Sequence, residues 1–145
     1  MTAHVPILPR ADAEVQRAAG CESLIWQPAR GVLATQVAGA ITAGVAQGLA
    51  AALRKVVHAH GRVVVIHDWE QMTDYEPEAR VILTDIGREL KKQIDLTHIL
   101  LRSRIVALAV QAATLLVPNI KVHGSRVTLE RALHDAIRAA APRSS

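Results

Sequence analysis

Apolar residues recur along this chain with two different periods, and each change of period marks an element. Glu22 to Gln27 (ESLIWQ) and Val32 to Val37 read as two short strands, joined through Pro28-Ala29-Arg30-Gly31 into an antiparallel hairpin. Gly39 is expected to end the second strand. Ile41, Val45, Leu49, Leu53 and Val56 or Val57 then recur at helical spacing as far as His58, with Gly61 as the stop. Val63 to Ile66 (VVVI) is a continuous β-branched run, the pattern of a strand covered on both faces and therefore of a central, parallel strand.

After a polar loop, Ala79, Leu83, Ile86, Leu90 and Ile94 keep helical period opposite a face of Arg80, Asp85, Arg88, Glu89, Lys91 and Lys92. Leu96 to Leu101 (LTHILL) reads as a strand, Ile105 to Leu116 as an apolar helix and Ile120 to His123 as a last short strand. Leu129, Leu133, Ala136, Ile137 and Ala140 mark a closing helix. The sum is an α/β domain of order β-β-α-β-α-β-α-β-α. It predicts a mixed sheet of about five strands with an antiparallel N-terminal hairpin, and four helices. Residues 1–20 read as an N-terminal extension outside the core, with one helical turn or two from Asp12 to Ala19. Residues 21–141 form the domain, and 142–145 a disordered tail.

Composition narrows this picture. A chain of 145 residues that is half apolar supports one continuous core. With no Phe, one Tyr and two Trp, that core must be built from Val, Ile, Leu and Ala, which suits a sheet packed on Ala-rich helices. The net charge of +4 raises the question of nucleic acid. However, the basic residues are scattered (Arg30, Arg54, Lys55, Arg62, Lys91, Lys92, Arg102, Arg104, Arg126) and almost no aromatics are there to stack on bases, so no nucleic-acid partner is expected. Cys21 stands alone, which excludes an intramolecular disulfide and a multi-cysteine zinc site. Pro6, Pro9, Arg10, Asp12 and Glu14 interrupt any apolar secretion signal, and the 13 residues from Ile105 to Val117 fall short of the ~20 that span a bilayer. A cytoplasmic protein without membrane insertion is the expectation.

The tests for chemistry are negative. G-x-S-x-G, the phosphate-binding G-x-x-x-x-G-K-[ST] and a G-x-G-x-x-G after a strand are all missing. Asp68, His98 and Ser103 are a conceivable triad, but His98 lies in mid-strand and the residue types are generic. His58 and His60 stand two apart, which suits neither helical ligand spacing, and the negative end of a helix accounts for them. No enzyme, metal or cofactor is expected.

The element order, with HDWEQMTDYEPEAR (His67 to Arg80) between a buried strand and an amphipathic helix, resembles the STAS family. That family includes bacterial anti-sigma-factor antagonists and cytoplasmic domains of sulfate transporters. The likeness is to its small bacterial SpoIIAA-like branch and runs from Glu22 to Ala140. In regulatory members, an Asp after the central strand leads through a loop to a phosphorylatable Ser at the next helix start, where an anti-sigma kinase docks. The resemblance implies that Asp68 matches the Asp and that the acceptor position falls at Pro77 or Glu78, neither of which takes phosphate.

Pro suits a first helical position, and Glu76 and Glu78 place negative charge at the positive helix end. These are good helix-start residues, or alternatively a fixed imitation of a phosphorylated acceptor; Thr73 and Tyr75 are candidates for a displaced one. The loops after the parallel strands should share a rim. That rim collects Asp68, Asp74, Glu76, Arg102, Ser103, Arg104, His123, Ser125 and Arg126, either as a docking site or anion pocket or as internal salt bridges and caps.

The resulting expectation is a non-catalytic regulatory or scaffold module without a phospho-switch. It would bind a protein partner through Asp68, Trp69, Thr73, Asp74, Tyr75, Glu76, Glu78, Arg102 and Arg104. The helix from Ile105 to Val117 is apolar nearly all round, so it is either buried or part-exposed. Exposure supports an alternative, a carrier of a small apolar or lipid-like ligand between the sheet and that helix, and also a homodimer seam.

Overall fold

The computed structural model describes residues 13–102 and 119–140. Among these, six strands form one sheet in sequence order: β1 (Glu14–Ala18), β2 (Cys21–Ala29), β3 (Val32–Ile41), β4 (Val63–Tyr75), β5 (Ile94–Leu101) and β6 (Ile120–His123). β1, β2 and β3 pair antiparallel, and β3 to β6 pair parallel. The helices are α1 (Ala43–His60), α2 (Pro77–Glu89) and α3 (Arg126–Ala140). The mixed sheet with an antiparallel start follows the expected pattern. The helix expected over 105–116 lies outside the described residues.

The sheet is covered on both sides. α1 and α2 touch each other and pack on one face, where Leu33, Val37, Val45, Leu49, Val65, Ile86 and Ile99 share a core. α3 packs on the other, where Leu129 and Leu133 meet Trp26, Val32, Ala34, Ile66 and Leu100. Because successive strand residues point to opposite faces, Val65 serves the first cluster and Ile66 the second, which is why β4 opens with an unbroken β-branched run.

Five expectations are corrected. Asp12 to Ala19, expected to hold a helical turn, contains β1, hydrogen-bonded to β2 from Glu14↔Ile25 to Ala18↔Cys21. Nearly all of β1 is exposed, so an edge strand held by its backbone shows no apolar stripe in sequence. The sheet therefore has six strands, not about five. β3 does not stop at Gly39 but continues to Ile41, which leaves Thr42 to cap α1 by accepting from the Val45 amide at 3.2 Å. Ile94 belongs to β5, because α2 ends at Glu89.

The largest correction concerns His67 to Glu78, expected as a loop. β4 runs on to Tyr75, paired with β3 as far as Ile41↔Tyr75, and two register shifts absorb the irregularity. Its polar letters hid the strand: residues such as Asp68 face inward and find partners there.

Gly39 has φ +89°, and a Cβ on it would land on the carbonyl of Gly20, whereas Gly20 (φ +77°) has open space around it. Gly39→Ala should therefore cost more than about 2 kcal/mol and Gly20→Ala about 1 kcal/mol. Urea denaturation of both variants checks this, and equal losses would contradict the close approach.

Candidate functional site

β4 turns two sets of polar side chains to opposite faces. Asp68 and Glu70 point to α3, and His67 and Trp69 to α1 and α2.

On the α3 side, Asp68 is 2% exposed. Its carboxylate accepts from Arg126 Nη1 at 3.2 Å and Nη2 at 2.8 Å, and from Gln36 Nε2 at 3.2 Å. Such a two-pronged pair fixes geometry as well as charge. Glu70 and Glu130 flank the same guanidinium, each at 3.5 Å. Burial works against the Arg126 charge, but the hydrogen bond and charge of Asp68, with Glu70 and Glu130 beyond it, outweigh burial and raise its pKa. Arg126 is the first residue of α3, so the pair ties the central strand to that helix.

Nearby on the sheet, His123 Nδ1 lies 2.8 Å from the Thr128 hydroxyl, which itself donates to the Ser125 carbonyl at 3.0 Å. His123 Nδ1 therefore carries the proton, and its Nε2 accepts from His98 Nδ1 at 2.9 Å. Burial, then the charges of His123 and Lys121, bring His98 down to about 4; burial and Lys121 lower His123.

On the α1/α2 side, a cavity of about 160 Å³ lies between sheet and helices, walled by Leu49, Leu53, Leu83, Ile86, Ile94 and Ile99, with Tyr75, Arg80, Thr84 and Thr97 among the polar liners. Trp69 Nε1 donates to Thr35 Oγ1 at 3.0 Å, and Thr35 Oγ1 stands 2.6 Å from His67 Nδ1. Indole nitrogen only donates, so the threonine oxygen accepts there and its own proton goes to His67 Nδ1, the acceptor it has among the described residues. His67 is thereby held neutral with its proton on Nε2. Its ring rests on Trp69, with centroids 4.4 Å apart, and lines the cavity. Burial lowers its pKa to about 3.

The residues expected to bind a partner separate into three groups. Asp68 and Trp69 are buried and serve the scaffold. Thr73, Asp74, Glu76 and Glu78 are exposed at the end of β4 and the start of α2, where Pro77 takes the first helical position; Tyr75 is half-buried against the cavity. Asp74 accepts from the Tyr75 amide at 2.8 Å, and Glu76 accepts from the Ala43 amide at 2.7 Å, closing the start of α1 from across the rim. Arg102 is exposed beyond β5, and Arg104 and Ser103 lie outside the described residues.

Among the described residues no group of three or more His, Cys, Asp or Glu is placed to hold a metal ion, and no helix is long and apolar enough to cross a membrane. Thr35 was not singled out in the sequence. Its role depends on the β3–β4 register, Thr35↔His67, which no local pattern encodes.

With this geometry in place, comparison with known proteins places the fold. A crystal structure of an uncharacterised DUF3478-family protein from Shewanella loihica PV-4, described as having a SpoIIAA-like fold, superposes with a TM-score of 0.56. The identity is 15%, over 86% of this chain and 91% of that one. The chain has the SpoIIAA-like, STAS-type fold that its element order suggested. No family model matches the sequence, and no curated protein matches it.

Two measurements test the site. Arg126→Ala leaves the Asp68 carboxylate buried without its cation and should cost about 3 kcal/mol, most of it regained by adding Asp68→Asn. Chemical denaturation of the single and double variants checks this; strictly additive losses would contradict the pairing. The pKa values of His67, His98 and His123 lie below the ordinary 6.5, so these three take up protons first in the unfolded chain. Stability is then full above pH 6.5 and falls as pH drops toward 4, His67 alone contributing a loss of about 2 kcal/mol at pH 5. A urea midpoint unchanged between pH 7 and 5 would contradict buried neutral histidines.

Proposed function

We propose that this protein is a non-catalytic, cytoplasmic regulatory module of the STAS type, whose protein partner docks on the acidic rim formed by Thr73, Asp74 and Glu78. The observation that carries this reading is the division of labour along one segment. Asp68, Trp69 and Glu76 are taken up by the scaffold, while Thr73, Asp74 and Glu78 remain exposed on a rigid strand end and helix start. Conformationally fixed, exposed polar groups on a well-packed scaffold are what partner recognition uses. Pro77 and Glu78 stand where a phosphorylatable residue would begin the helix, so the surface carries permanent negative charge and its recognition does not depend on a phosphate.

The double variant Asp74→Lys, Glu78→Lys should lose at least about tenfold in partner capture from native lysate, measured by quantitative mass spectrometry, with an unchanged thermal transition. Both residues are exposed, so stability should hold within about 0.5 kcal/mol. Capture equal to that of the unaltered chain would refute this surface.

A further inference from the structure

We propose that the cavity between the sheet and helices α1 and α2 is a ligand site for a small, mostly apolar molecule of about the size of a benzene ring that carries one neutral hydrogen-bond acceptor, a carbonyl, held by Nε2–H of His67. This site is separate from the acidic rim and goes beyond the partner-binding reading.

Size comes first. The cavity holds about 160 Å³. An engineered cavity of roughly 150 Å³ in another protein's core stays dry and takes up benzene. The space therefore suits a single ring or a short chain and excludes the whole of a long acyl tail. Its walls of Leu, Ile and Ala offer dispersion contacts and no charge.

The chemistry follows from the hydrogen-bond chain Trp69 to Thr35 to His67. A lone imidazole in an apolar pocket is free to present either nitrogen. Here Thr35 fills the acceptor nitrogen, the Trp69 ring braces one side, and the remaining Nε2–H has no partner among the described residues while its ring lines the cavity. His67 is half-buried, so a ligand that supplies an acceptor replaces water at this donor and gains a hydrogen bond formed among apolar walls.

Burial keeps the imidazole uncharged to about pH 3. The donor therefore offers an anion no opposite charge to offset its loss of water, which favours a neutral acceptor over a carboxylate. Arg80 also lines the cavity, but its side chain belongs to an exposed residue, so water screens its charge.

The test uses the full chain with acetophenone, with α-methylstyrene (the same shape with CH2 in place of the carbonyl oxygen) and with benzoate, by calorimetric titration and ligand-detected NMR. Acetophenone should bind at least as tightly as α-methylstyrene, although its carbonyl costs more to remove from water. His67→Phe should weaken acetophenone by about tenfold or more and leave α-methylstyrene within about twofold. Thr84→Met, which fills the wall from α2, should weaken both. No saturable binding of acetophenone, benzoate binding more tightly than acetophenone, or equal effects of His67→Phe on the two neutral probes would overturn the proposal. The comparison of the three probes on the unaltered chain decides it even where His67→Phe fails to fold.

Discussion

β4 runs between two helical layers as far as Glu70, and each polar side chain on that part has to be answered from one layer or the other. That constraint organises the molecule. From Val63 to Glu70 this strand is buried or half-buried on both faces and has no open solvent side on which to park charge. Asp68 is answered by Arg126 and Gln36 on the α3 face, and His67 and Trp69 by Thr35 on the α1/α2 face. The first arrangement docks α3. The second leaves one imidazole proton facing a cavity.

The consequence for function is a separation of tasks along consecutive residues. The Asp that the STAS resemblance placed on a docking surface is spent inside the fold, where removing its cation would leave a buried charge. The exposed positions come later, from Thr73 onward, beside the starts of α1 and α2. Glu76 links those two starts by accepting from the Ala43 amide, so the rim is held by the same backbone that frames the cavity.

Much of this architecture is legible in the sequence. The VVVI run, the apolar stripe from Val45 to Val56 and the stop at Gly61 mark the central strand and α1 because burial imposes period and composition together. β1 is invisible to the same logic, since an exposed edge strand is held by backbone hydrogen bonds and needs no apolar pattern. The continuation of β4 past Ile66 is hidden for a different reason: polar residues such as His67 and Asp68 stand inward beside Trp69 and Met72, and their partners Thr35 and Arg126 are far away in the chain. His67 and Asp68 lie within the segment that the sequence singles out, but which face each one serves depends on register alone.

The Thr35–His67–Trp69 chain fixes a neutral imidazole with its proton on Nε2, on a ring that lines the cavity. Long-range proton–nitrogen NMR of the histidine rings tests it directly, because the two tautomers and the charged ring give different coupling patterns. His67 should show the Nε2–H pattern at pH 7, unchanged down to pH 5. A proton on Nδ1, or a ring that becomes charged near pH 6.5, would contradict it.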